Sequence, residues 1–131
     1  MSDLPPGPLF VCELPNALRL EIHDRSQHYF GGYWRLRLEA RCPVPLSAVD
    51  VDPAVRSDMG RLLGDPVPFL RTLEQMAVPQ EQLEQLRQGL LERFVRQLRP
   101  LLGDHRFPGA FLVREYRKRL QGGDRGIPCF S

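Results

Sequence analysis

Arg114 stands three and four residues before Arg117 and Lys118, the spacing that gathers side chains on one side of a helix. Phe111 lies beside them. A basic stripe next to an aromatic residue is a surface for the phosphates of a nucleic acid or another polyanion. Binding of that kind neutralises phosphates and weakens with salt. Aromatic residues do not interleave with these cations as in a base-stacking platform, and the solvated side of an amphipathic helix accounts for the same spacing. Arg87 is the second residue of interest. It projects into the middle of an apolar helical arc, where an unpaired charge is costly. Its head either snorkels to water or meets an acidic residue or a bound anion. A small-molecule pocket between sheet and helices would centre on Arg87.

Other chemistry finds little support. The glycines of Gly122-Gly123-Asp124-Arg125-Gly126 follow no strand and open no helix, so no phosphate-cradling loop is indicated. There is no nucleophile elbow and no HExxH motif. His23 and His28 flank a hairpin loop, and His105 sits between helices. A metal would need about four converging ligands, and alternation places His23 and Cys42 on opposite faces of their hairpin. No catalytic residue, metal site or cofactor is therefore expected. Cys42 reads as a small buried hydrophobe, and Cys129 as a thiol in the C-terminal tail. Three cysteines without regular spacing do not make a disulfide framework.

The elements that position these residues begin with two alternating segments. Leu18, Leu20 and Ile22 face one side, with Arg19, Glu21 and His23 on the other. Trp34, Leu36, Leu38, Ala40 and Cys42 oppose Tyr33, Arg35, Arg37, Glu39 and Arg41 in the same way. Period-2 alternation marks half-buried strands. The polar stretch Asp24–Gly32 is read as the hairpin loop. Among registers that superpose the apolar faces, one pairs Arg19 with Glu39 and Glu21 with Arg37, each cross-strand pair contributing roughly 0.2–1 kcal/mol. It sets Ile22 opposite Leu36 and Leu20 opposite Leu38. Mixed signs on the outer face make it a weak anion site, and a solvated sheet face explains it. Leu9–Leu14 adds a short edge strand before a Pro15-Asn16 turn.

Helices follow. Asp52-Pro53 is a start signal for a helix to Leu63, with Gly64 past its end. Asp65-Pro66 repeats the device and predicts a second helix carrying Phe69, Leu70, Leu73 and Met76. Pro79–Leu102 predicts a third, about 36 Å long. Its apolar residues sweep about 180°, wider than the usual ~100° stripe. That breadth fits a central core helix packed on the hairpin and another helix, with a core helix that also lines a dimer or partner interface as the alternative. Pro108–Gln121 reads as a last helix, with a strand over Ala110–Tyr116 as the competing assignment.

The expectation is an α+β fold, an N-terminal antiparallel β-hairpin or three-stranded meander packed against three to four helices. All 131 residues are read as one domain, with 1–8 and 122–131 flexible. A hydrophobic share of 42% and a charged share of 26% are those of a globular chain. The net charge of +2 does not by itself imply a nucleic-acid partner. Of 18 Lys and Arg residues only Lys118 is a lysine, as codon bias in a GC-rich genome would give. No signal peptide or apolar run of ~18 residues is present, so a soluble, cytoplasmic protein without membrane contact is expected. The leading functional expectation is a non-enzymatic interaction domain, with a second copy or another protein as partner. A nucleic-acid or polyanion binder using Arg114, Arg117 and Lys118 is the alternative, and a small-molecule binder at Arg87 the third.

Overall fold

The alternating segments form strands whose inner residues are excluded from water. The computed structural model describes residues 7–125. Among them run five strands: β1 (Phe10–Glu13), β2 (Arg19–Asp24), β3 (Gln27–Phe30), β4 (Tyr33–Val44) and β5 (Val67–Pro79). Three α-helices accompany them: α1 (Pro53–Leu63), α2 (Leu83–Leu102) and α3 (Phe107–Arg125). The architecture is α+β, with one antiparallel sheet. Strand β4 is its axis. Strands β2 and β3 pair with one edge of β4, β5 pairs with the other along its whole length, and β1 closes the far side of β2.

Leu20, Ile22, Leu36, Leu38, Ala40, Cys42 and Val44 are buried on the inner sheet face, as the alternation requires. The predicted register is corrected. Ile22 lies opposite Ala40 and Glu21 opposite Arg41, a slide of four residues along β4. The chain does not loop out at Asp24. Strand β3 carries the pairing on, with Gln27 opposite Arg35 and His28 opposite Trp34, until Gly31-Gly32 turns the chain. Gly31, at φ 52°, supplies the left-handed conformation of that turn. Across the break between β2 and β3, Arg25 N donates to Arg37 O (2.8 Å) and Arg37 N to Ser26 Oγ (3.0 Å). The adopted register also joins opposite charges: Glu21 with Arg41, and Arg25 with Glu39 at 3.3 Å. Charge pairing was thus indecisive, and the extra ladder of β3 settled the register.

The second correction is larger. Residues 67–79 are a strand, not a helix. Asp65 does not cap a helix; its Oδ1 accepts from Leu46 N at 3.0 Å, tying together the ends of the β4–β5 connection. A helix at 67–79 would leave one edge of the twelve-residue β4 without partners, and buried strands do not leave their backbone groups unpaired. Near its end β5 gains one residue on β4, so that Met76 and Ala77 together oppose Arg35. Ala77 sits at φ 55° in this bulge.

Helix α1 starts at Pro53 and ends at Gly64 (φ 84°), as the sequence indicates, although Asp52 makes no side-chain cap bond. Helix α2 is preceded by a short 3-10 turn, Gln80–Gln82. Most of its arc is spent on the core: Leu83, Leu90, Leu91, Phe94, Leu98 and Leu102 are buried against the sheet and α3, Leu86 and Val95 are half-buried, and Leu101 is exposed. Residues 108–121 are helical, which excludes the competing strand, and α3 runs past Gly122 to Arg125. The expected looseness of residues 1–6 and 126–131 lies outside the described residues.

Candidate functional site

The strand assignment of 67–79 decides where the basic stripe of α3 lies. Phe69 points to the inner face, opposite Cys42. It meets the rings of Phe107 and Phe111 edge-on, at 5.6 and 5.8 Å between centroids. Those two rings, one helical turn apart, stack at 5.5 Å. The three rings lock the first turns of α3 against β5. Arg114 and Lys118 follow Phe111 by three and seven residues, so they share its side of the helix. Both line a cleft of about 440 Å³ between α3 and β5.

Arg71 completes the cleft from the strand. Opposed residues of an antiparallel pair share a face, and Arg71 lies opposite Ala40, hence on the inner face. Its guanidinium carbon rests 5.2 Å from the centroid of Phe69, a cation–π contact. Glu115 also lines the cleft and accepts from Lys118 Nζ at 3.1 Å. Among the described residues, no carboxylate comes within 4.0 Å of Arg71 or Arg114. Arg117 faces a neighbouring groove beside Val49, Asp50 and Val113, which Arg114 also borders. The structure therefore unites Arg114, Lys118 and Phe111, sets Arg117 next door, and adds Arg71. Arg71 is hidden as long as its segment reads as a helix; Pro68 and Pro79, suited to the ends of an edge strand, are the signal that could have found it.

Arg87 is neutralised. Its Nη1 donates to Asp24 Oδ2 at 2.9 Å, and its Nη2 to Glu84 one turn earlier. Asp24 Oδ1 meanwhile accepts from Ser26 N at 3.0 Å. Arg87 thus clamps α2 to the β2–β3 junction, with its side chain 24% exposed. The grooves described here do not include it among their walls.

The histidines lie apart. His23 Nε2 is 3.1 Å from Glu21 Oε1 on the outer face, His28 tilts against Trp34, and His105 is exposed beside Asp104. Cys42 is wholly buried, and burial pushes its thiol up to about 11. Cys129 lies outside the described residues.

A second surface is the outer edge of β5, which no strand pairs among the described residues. Arg37 O accepts from Arg25 N, so the backbone of Arg37 faces β2 and β3. Orientation alternates along an antiparallel strand. Leu36, Leu38 and Ala40 therefore direct their groups to β5, and Gln75, Leu73 and Arg71 return them. The N–H and C=O groups of Leu70, Thr72 and Glu74 then point away from the sheet. The side chains of these three residues join the outer face, which no helix covers among the described residues. Leu70 and Met76 are 52% and 51% exposed there. The rest of that face is laced with ion pairs, including Arg19–Glu21 at 3.4 Å and Arg37–Glu74 at 3.4 Å.

Comparison with family models, curated proteins and solved structures returns no match. No helix among the described residues is long and apolar enough to cross a membrane.

Proposed function

We propose that this chain is an interaction domain that pairs with a second copy of itself through the free edge of β5. The observation that carries the reading is the outward set of backbone groups at Leu70, Thr72 and Glu74, flanked by exposed Leu70 and Met76. An unpaired strand edge is a template for another strand. Pro68, Pro79 and the bulge at Ala77 blunt its ends, which confines pairing to the window between them.

A two-fold axis within that window leaves few registers. Centred on Arg71 it sets two arginines face to face, and centred on Glu74 two glutamates. Centred on Thr72 it places Leu70 against Glu74 of the second copy. Centred on Leu73 it places Leu70 against Met76 of the second copy, Thr72 against Glu74, and Arg71 against Gln75. Only this last choice buries the exposed apolar side chains without opposing like charges. A second copy fits better than an arbitrary strand because the window is complementary to itself. A few backbone hydrogen bonds of about 1 kcal/mol each and two apolar pairs support weak association, in the ~10 µM to ~1 mM range.

Sedimentation equilibrium tests this. The wild-type chain is expected to dimerise as its concentration rises to roughly 0.5 mM. Thr72→Pro removes an outward N–H and leaves the β4 ladder intact, so it should be monomeric with an unchanged circular dichroism spectrum. A wild type that stays monomeric over that range, or a T72P variant that dimerises equally, overturns the reading.

A further inference from the structure

We infer that the cleft between β5 and α3 is a binding site for a phosphate group, carried by Arg71, Arg114 and Lys118. Three cations from two elements converge on one concavity of about 440 Å³, a volume within the range of small-ligand sites. Arg71 is the decisive residue. The ring of Phe69 holds one face of its guanidinium, and Phe107 and Phe111 in turn fix that ring. The N–H edge of the fork stays available, set for two parallel bonds to phosphate oxygens. Among the described residues neither Arg71 nor Arg114 has a carboxylate within 4.0 Å, whereas Arg87 on the same inner side has two. The cleft therefore keeps the charge of both arginines, where that of Arg87 is neutralised. Glu115 opposes the ligand in part, yet its bond to Lys118 also orients that ammonium along the wall. Three positive groups against one negative leave the cleft cationic.

The aromatic rings define what is recognised. Phe69 and Phe111 are 7% and 5% exposed, so they form the floor and offer no open face for a base. The site reads phosphate and not nucleobase. A mononucleotide, an inorganic polyphosphate and the backbone of a single-stranded nucleic acid share that chemistry. The cleft opens on the inner side of β5, whereas pairing uses the outward backbone groups of Thr72; Leu70 and Arg71 border both, so the Thr72→Pro monomer, in which phosphate binding should persist, separates the two readings.

The test uses pyrophosphate in titration calorimetry and a fluorescently labelled ten-residue oligothymidylate in anisotropy, both with the full chain at ~50 mM salt. At least one probe should bind, and more weakly at ~200 mM salt. Arg71→Ala and Arg114→Ala should each weaken binding about fivefold or more. Arg71→Lys should fall between wild type and R71A, since it keeps the charge and loses the fork. Arg93→Ala on α2, which changes net charge equally at a distance, should bind as wild type does. Binding of pyrophosphate identifies a free phosphate ligand; binding of the oligonucleotide alone identifies a polymer backbone. Either supports the site. Arg114 is exposed on a helix, so R114A keeps the test valid if R71A disturbs β5. No binding of either probe, or variants R71A and R114A that both bind like wild type, overturns the inference.

Discussion

Arg87 and Arg71 are both arginines on the inner side of one sheet, and their partners give them opposite roles. Arg87 spends its donors on Asp24 and Glu84 and becomes a clamp. Arg71 has an aromatic ring beneath it and no acid within reach among the described residues, so its donors remain for a ligand. Of the hydrogen bonds that tie α3 to α1, the bond from Arg119 to Leu62 O among them, one has a pH signature: Tyr116 Oη donates to Asp58 Oδ2 at 2.6 Å. That bond, with a second from Arg61, holds the Asp58 carboxyl below its ordinary 3.8. A folded value below the unfolded one stabilises the fold above pH 3.8 and ceases to do so as pH falls through the lower folded value. Tyr116→Phe should therefore lower the Tm near about pH 6. Its deficit against wild type should shrink in thermal scans taken below about pH 4. A deficit that stays constant through that window would assign the loss to packing alone.

Among the elements, those with a strong period were legible. Strands β2 and β4 alternate because one face meets helices and the other meets water, and α2 and α3 carry long helical arcs. Strand β5 was not legible, for a physical reason. It lies at an edge, where Arg71 and Gln75 can occupy inner positions that a central strand would give to apolar residues. Its bulge then breaks the alternation before Val78. The remaining apolar residues, Phe69, Leu70, Leu73 and Met76, fall at helical spacing by default. The cleft between β5 and α3 was half legible for the same reason, since α3 announced its cations and β5 concealed Arg71. The Pro15-Asn16 turn proves to do more than reverse the chain. Asn16 Nδ2 donates to Leu102 O (2.7 Å) and Asp104 O (3.2 Å), and its Oδ1 accepts from Leu18 N (3.3 Å). The turn thereby satisfies the Leu102 carbonyl at the end of α2 and gives a second donor to the Asp104 carbonyl, which Phe107 N reaches at 2.9 Å. The approach is close: a Cβ on Gly103 would stand 3.1 Å from Pro15 Cδ and 2.9 Å from Arg99 O. Asn16→Ala should cost about 1–2 kcal/mol in urea denaturation, by orphaning the part-buried Leu102 carbonyl. An unchanged midpoint would show that water replaces the amide there.

At the scale of the molecule, the two sides of the sheet have separate tasks. The inner side holds one continuous apolar cluster shared by the strands and all three helices. The outer side is bare among the described residues and stitched by exposed ion pairs, each worth little alone. Stability should therefore be highest along β4, which has ladders on both sides. Amide hydrogen exchange should be slowest from Leu36 to Cys42. It should be fast at Leu70, Thr72 and Glu74 in dilute protein and slow at those three as concentration rises. Exchange at these amides that ignores concentration would count against pairing through β5.

Strand β4 also sets the phase of its neighbours. Strands β2, β3 and β5 all take their register from the same twelve residues. A single residue inserted or deleted between Leu36 and Ala40 would invert inside and outside against partners on both edges at once, like a frameshift read in two directions. The same change at Met76-Ala77 meets a bulge that already absorbs one extra residue. Length is therefore a rigid property in the middle of this sheet and a negotiable one at its rim.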